Sequence, residues 1–222
     1  GDFCSSQIAV SCMIFEYPST QLKILQYDLN SENYHEVAEK LSSELEKCPW
    51  ANSVQILTTI RGMSMTGLCD DLGRVRPNVS IFGGGAFSEN MNEELACVFS
   101  ENGEWTDSGI VFTLMGGDDF HVHTTYVAGW KPLGKYLKVT KAKDNILYEL
   151  DGQPAYNTYY KYLNIGNDES FFYNTLEFPF FYEHNGIDIL RAPTASNPDG
   201  SLMMSSDMKE NVKARIAYGD PW

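Results

Sequence analysis

Arg191 is the side chain best suited to recognition chemistry. It closes the apolar run Gly186-Ile187-Asp188-Ile189-Leu190 in a chain with only sixteen basic residues. A planar guanidinium grips a carboxylate through two parallel hydrogen bonds, so Arg191 suits an amino acid or small carboxylate, with pairing to Asp151 or Asp188 as its structural alternative. Trp130 would supply an apolar wall beside it. His121 and His123 stand two apart, so on a strand they would face one side, and with Asp118 or Asp119 they could ligate a metal. Spacing names no third protein ligand, and an exposed strand face is the plainer reading. His35 and His184 add nothing closer, and no haem attachment motif accompanies any histidine.

Val79 to Phe87 runs from an apolar strand into Gly83-Gly84-Gly85, where the backbone could approach a ligand closely. A phosphate cradle lacks support, because the Gly-Lys-Ser/Thr of a P-loop is absent and G-x-G-x-x-G fails at Ser88. The plain reading is a tight turn. Gly116-Gly117-Asp118-Asp119-Phe120 resembles the five-residue signature of diguanylate cyclases, but the upstream acidic ligands and helix pattern of those enzymes do not precede it, which leaves a hairpin turn. No Gly-x-Ser-x-Gly elbow occurs, and no cysteine carries a nucleophile signature. Tyr156, Tyr159, Tyr160 and Tyr162 read as helix packing in so acidic a chain. These observations assign no catalytic residue, no metal and no cofactor.

The elements that must position Arg191, Trp130 and the glycines follow from periodicity and punctuation. Gln7–Phe15 and Gln21–Leu29 read as strands of a hairpin around Glu16 to Thr20. A helix follows, capped by Ser31, with Val37, Ala38, Leu41 and Leu45 at helical spacing and a stop at Cys48-Pro49. Ser53–Ile60 is a β-branched strand, Met63–Leu72 a shorter helix, and this order indicates an α/β unit. Runs at Leu95–Ser100, Ser108–Met115 and Phe120–Val127, separated by Asn-Gly and Gly-Gly-Asp, predict an antiparallel meander. Ala128 to Gly134 and Leu150 to Ala155 have the composition of rigid turns. Lys135–Lys141 and Asn145–Glu149 form a strand pair, and Pro154 opens a helix ending near Leu163. A short helix at Asp168–Tyr173 and strands at Ile187–Arg191, Ser201–Met204 and Asn211–Ala217 complete the chain, with a turn at Asn197 to Gly200. The expected fold class is mixed α/β and sheet-rich, with largely antiparallel sheets flanked by a few helices.

The 222 residues, 43% of them hydrophobic, can fill the core of one large or two small domains. Sixteen basic against thirty acidic residues give a net charge of −14, which repels nucleic acid and anionic membranes. Apolar runs such as Ile110 to Met115 are far short of the ~20 residues of a membrane span. Five cysteines without paired spacing suit a reduced, cytoplasmic setting. A first residue of Gly, with no basic-then-apolar leader, suggests an excised fragment.

Six landmarks occur in order: Phe82-Gly83-Gly84-Gly85-Ala86, the Val98 to Glu104 hairpin, Gly129-Trp130-Lys131-Pro132-Leu133-Gly134, Val139-Thr140-Lys141-Ala142, Leu150 to Ala155, and Arg191. Together they resemble the FIST sensory domain over roughly residues 50 to 220. The resemblance implies a cytoplasmic, non-enzymatic input domain that binds a small ligand, amino acids being proposed, and signals to a C-terminal output module or separate protein. Such outputs include histidine kinases of two-component systems, diguanylate cyclases and chemotaxis domains. It further implies an N-terminal part at residues 1–128, incomplete at its start, and a C-terminal part at 129–222, and it carries Gly83, Gly84, Trp130, Pro132, Gly134, Asp151, Gly152 and Arg191 as landmarks without assigning their roles; of these, Gly83, Gly84, Trp130, Asp151 and Arg191 are our expected ligand-binding residues. The alternatives are a metal-dependent enzyme using His121 and His123, and a haem-linked gas sensor of the same family.

Overall fold

A computed structural model describes residues 12–59, 65–76, 78–86, 96–127, 129–184 and 186–219. The chain divides into two compact units, residues 1–61 with 73–124, and residues 62–72 with 125–222. The result is sheet-rich mixed α/β with mainly antiparallel pairing, as expected.

In the first unit, β1 (Gln21–Asp28), β2 (Ala51–Thr58), β3 (Ser80–Gly85) and β6 (Gly109–Gly116) form a sheet in the order β1-β6-β2-β3. β6 is antiparallel to both β1 and β2, and β2 is parallel to β3. Parallel neighbours need a crossover connection, and α2 (Met65–Val75) lies in the chain between β2 and β3. The chain order strand, helix, strand is the expected one, although residues 65–72 of α2 group with the second unit. β6 reads Gly-Ile-Val-Phe-Thr-Leu-Met-Gly and is buried on both faces, as a central strand must be.

α1 (Tyr34–Lys47) buries Val37, Ala38, Leu41 and Leu45, the foreseen stripe, and ends at Cys48, whose N–H donates to the Leu45 carbonyl at 3.2 Å. Its N-cap is Asn33 and not Ser31. Asn33 Oδ1 accepts the Asn30 N–H at 2.8 Å and its Nδ2 donates to the Asp28 carbonyl at 3.0 Å, so this amide ties β1 to the helix start.

Three expectations fail in this unit. Residues 7–11 of the first expected strand lie outside the described residues, and 12–15 are not strand; the turn survives, with the Thr20 N–H donating to the Tyr17 carbonyl at 3.0 Å. Among the described residues the meander does not form. β4 (Val98–Phe99) and β5 (Trp105–Thr106) make a two-stranded hairpin, while β6 leaves to enter between β1 and β2. Phe120–Val127 is not a strand, because both flanks of β6 are already occupied; Phe120 instead packs on Phe15, ring centroids 5.7 Å apart, and its carbonyl accepts from Asn52 Nδ2 at 2.6 Å.

The second unit is an antiparallel sheet ordered β11-β10-β14-β7-β8-β13-β12, with β9 (Gln153–Pro154) paired to β8. Its strands are β7 (Trp130–Lys143), β8 (Ile146–Leu150), β10 (Phe180–His184), β11 (Ile187–Arg191), β12 (Pro193–Ser196), β13 (Leu202–Met204) and β14 (Lys213–Gly219). α3 (Ala155–Leu163) follows Pro154 and α4 (Phe171–Leu176) begins three residues later than expected. Leu137, Val139, Leu147, Leu150, Phe180, Leu202 and Ile216 join Tyr159 of α3 in one core. The Tyr159 ring lies 5.5 Å from that of Phe180, and its hydroxyl donates to the Phe178 carbonyl at 2.8 Å. β10 and β12 were not foreseen.

Trp130 to Gly134 is not the expected turn but the start of β7. Leu133 faces Ile216 and Leu137 faces Ala214, so three residues of β7 oppose Arg215 alone, and Gly134 takes φ 69° in this bulge. Asp151-Gly152 does turn. With φ of 51° and 74° between the paired Leu150 and Gln153, these two residues form a two-residue β-hairpin loop of type I′ character.

Candidate ligand-binding site

Arg191 lies half-buried at the end of β11, paired with Phe180 of β10. Its Nε donates to the Asp207 carbonyl at 3.0 Å, Nη1 to the Leu190 carbonyl at 3.0 Å, and Nη2 to Thr66 Oγ1 at 3.4 Å. These acceptors are all neutral, where the sequence suggested Asp151 or Asp188. Burial raises the buried Tyr182 hydroxyl; the charge of Arg191 pulls it back and that of Asp207 adds to the rise. Cys69, although exposed as a residue, has its thiol raised mainly by the desolvated surroundings of its sulfur, with the charge of Asp70 adding to the rise and that of Arg191 opposing it. A guanidinium among groups where desolvation dominates would interact with an incoming carboxylate more strongly than one in bulk water. The raised thiol also argues against Cys69 as a nucleophile, since the thiolate is the reactive form.

Within the second unit, Trp130 and Asp151 stand apart from Arg191. Directly opposed residues in neighbouring strands share a face, so Arg191, Phe180, Ile216 and Leu133 form one rung across β11, β10, β14 and β7. Trp130 is three residues from Leu133 in regular pairing, opposite Gly219, so side-chain alternation puts it on the other face of the sheet. Two strands and the thickness of the sheet therefore separate Trp130 from Arg191. Asp151 supports its own turn. Its Oδ1 accepts the Lys138 N–H at 2.9 Å and its Oδ2 accepts from Lys135 Nζ at 3.1 Å, and these two bonds lower its carboxyl below the usual range. Gly83 and Gly84 belong to the first unit, within β3 and not in a turn, opposite Ile56 and Leu57.

His121 and His123 are exposed and lie outside any strand, so the shared strand face that would align them is missing. Among the described residues no three His, Cys, Asp or Glu side chains come close enough to hold a metal. The Asp118-Asp119 turn is occupied otherwise, Asp119 accepting a hydrogen bond from Ser19 Oγ at 2.7 Å.

Thr66 and Tyr182 are neighbours of Arg191 that the sequence does not announce. Thr66 stands 125 residues before it, and no local spacing could have joined the two. For Tyr182, the signal is the aromatic run Phe178 to Tyr182, which leads into β10.

A family model described as FIST N domain matches residues 4–153, passing through the division expected at residue 128 and taking in β7 and β8. An uncharacterized protein of Methanocaldococcus jannaschii is 33% identical over 97 residues, which cover 44% of this chain and 18% of that protein. The chain thus spans under a fifth of that relative's length. No solved structure matches the chain.

Proposed function

The chain belongs to the FIST family of sensory domains in signal transduction, and on that premise we propose that it is a non-enzymatic input domain that binds an amino acid or small carboxylate through Arg191. The observation that carries this reading is the half-buried guanidinium, hydrogen-bonded to neutral acceptors beside Tyr182 and Thr66. Its positive charge is held in place without a carboxylate among those acceptors, and a ligand carboxylate would complete it. Trp130, Asp151, Gly83 and Gly84 enter this reading as residues that shape the two units around the landmark segments.

The setting proposed is cytoplasmic, with residues 1–128 as the N-terminal part of the domain and 129–222 as the C-terminal part. A charge of −14 disfavours nucleic acid and anionic lipid as partners. No described helix is long and apolar enough to cross a membrane. Ligand binding would shift the balance between two arrangements read by a C-terminal output module or a separate signalling protein.

Isothermal titration of the protein against amino acids and small carboxylates tests the assignment. A ligand should bind the wild type and lose about 10- to 100-fold in affinity with Arg191→Ala, the worth of charged hydrogen bonds at about 1.5–3 kcal/mol. Arg191→Lys should recover only part of that, for want of the planar fork. If every ligand that binds the wild type binds the alanine variant equally well, Arg191 is removed from the site.

A further inference from the structure

The bulge in β7 has a cavity beside it. Where Gly134, Lys135 and Tyr136 stand against Arg215 alone, β7 and β14 are pushed out of register, and the last turn of α3 comes over the gap. The space measures about 100 Å³, with Leu133, Leu137, Leu163 and Ile216 as apolar walls. Lys135 and Tyr162 also line it, and among the described residues Lys135 is the one ionised side chain of the lining. Leu133 and Tyr162 are each 47% exposed, so the cavity is reached from solvent on their side.

The lysine is anchored. Lys135 Nζ donates to Asp151 Oδ2 at 3.1 Å, and Asp151 is itself fixed by the Lys138 N–H at 2.9 Å. This bond and the charge of Asp151 raise the ammonium above its ordinary range, with Tyr162 adding to the rise, so Lys135 stays protonated. An ammonium has three donors; the bonds to Asp151 and to the Tyr162 hydroxyl use two, and the third serves a ligand. Size limits the rest of the ligand: an apolar cavity of about 150 Å³ holds a benzene-sized molecule, so this one suits a chain of about four or five carbons.

We propose that this cavity is a binding site for a short branched aliphatic carboxylate, its chain among Leu133, Leu137, Leu163 and Ile216 and its carboxylate on Lys135 and the Tyr162 hydroxyl. The site is distinct from Arg191. Ile216 and Arg191 belong to one rung, but the fully buried Phe180 occupies the strand between them. The proposal does not rest on the reading of Arg191.

Saturation-transfer NMR and titration of the whole chain with isovalerate and its uncharged counterpart 3-methylbutanol test it. Isovalerate should bind with a dissociation constant of about 0.1–10 mM, as befits a ligand of about seven heavy atoms. Lys135→Met, which keeps the stem and removes the charge, should weaken isovalerate at least about fivefold and leave 3-methylbutanol unchanged. Leu163→Phe, which fills the cavity, should abolish binding of both. The proposal is overturned if isovalerate does not bind in that range, if either variant binds it like the wild type, or if Arg191→Ala loses it while Lys135→Met does not. Should Leu163→Phe fail to fold, the contrast between the acid and the alcohol on Lys135→Met decides alone.

Discussion

At Gly83 the backbone of β3 runs so close to β2 that a Cβ would collide with the Ile56 carbonyl, and its φ of 148° is one that L side chains rarely adopt. At its neighbour Gly84 a Cβ would meet nothing within 4 Å. The pair gives a controlled contrast: Gly83→Ala should destabilise the protein by about 2 kcal/mol or more, and Gly84→Ala by no more than about 0.5 kcal/mol. Urea denaturation of both variants checks this, and equal losses would mean that the close approach is not what Gly83 serves. Composition marked these glycines without separating a turn from a strand that needs room. Asp151-Gly152 was legible as a turn because both residue types tolerate positive φ. The surroundings of Arg191 were not legible, because Thr66 reaches it only through tertiary folding and Tyr182 lies on β10, a strand that the sequence did not announce.

The elements were readable where the pattern is local. α1 announced itself through the spacing of Val37, Ala38, Leu41 and Leu45, and Ile187–Arg191 is β11 as expected. β7 was misread at its start because a bulge leaves the same glycine and proline signature as a turn. The meander failed because strand pairing in the first sheet is non-local. One tie between elements responds to pH. Lys23 of β1 donates to Glu44 of α1 at 2.6 Å, Lys47 donates to it at 2.7 Å, and these bonds hold the Glu44 carboxyl down to about 2. An unfolded glutamate titrates near about 4.3. The folded value is therefore the lower one, so the stabilisation is complete above roughly pH 5 and disappears as pH falls towards 2. Glu44→Gln should lower stability by about 0.5–1 kcal/mol at pH 7, and the gap from wild type should narrow steadily in denaturation curves taken from pH 5 to pH 3. A gap independent of pH would show that the carboxylate charge contributes nothing to the tie.

For the molecule as a whole, the chain passes from the first unit to the second at residue 62, returns at 73 and crosses again at 125. The segment 62–72 carries Thr66, which receives a hydrogen bond from Arg191, and the buried Leu68 and Leu72. One cut therefore cannot divide the protein cleanly. Residues 125–222 alone should melt at a clearly lower temperature than the same residues joined to 62–72 through a flexible linker, as followed by circular dichroism; identical curves would show the segment to be dispensable. The placement of β6 has a parallel consequence in time. β1 and β2 leave the ribosome first, and the strand that must lie between them follows roughly fifty residues later, several seconds at about 5–20 residues per second. For that interval the two edges due to receive β6 have no native partner, and unpaired strand edges recruit other chains. Aggregation during synthesis is the hazard of this strand order, and slower translation between β2 and β6 prolongs it.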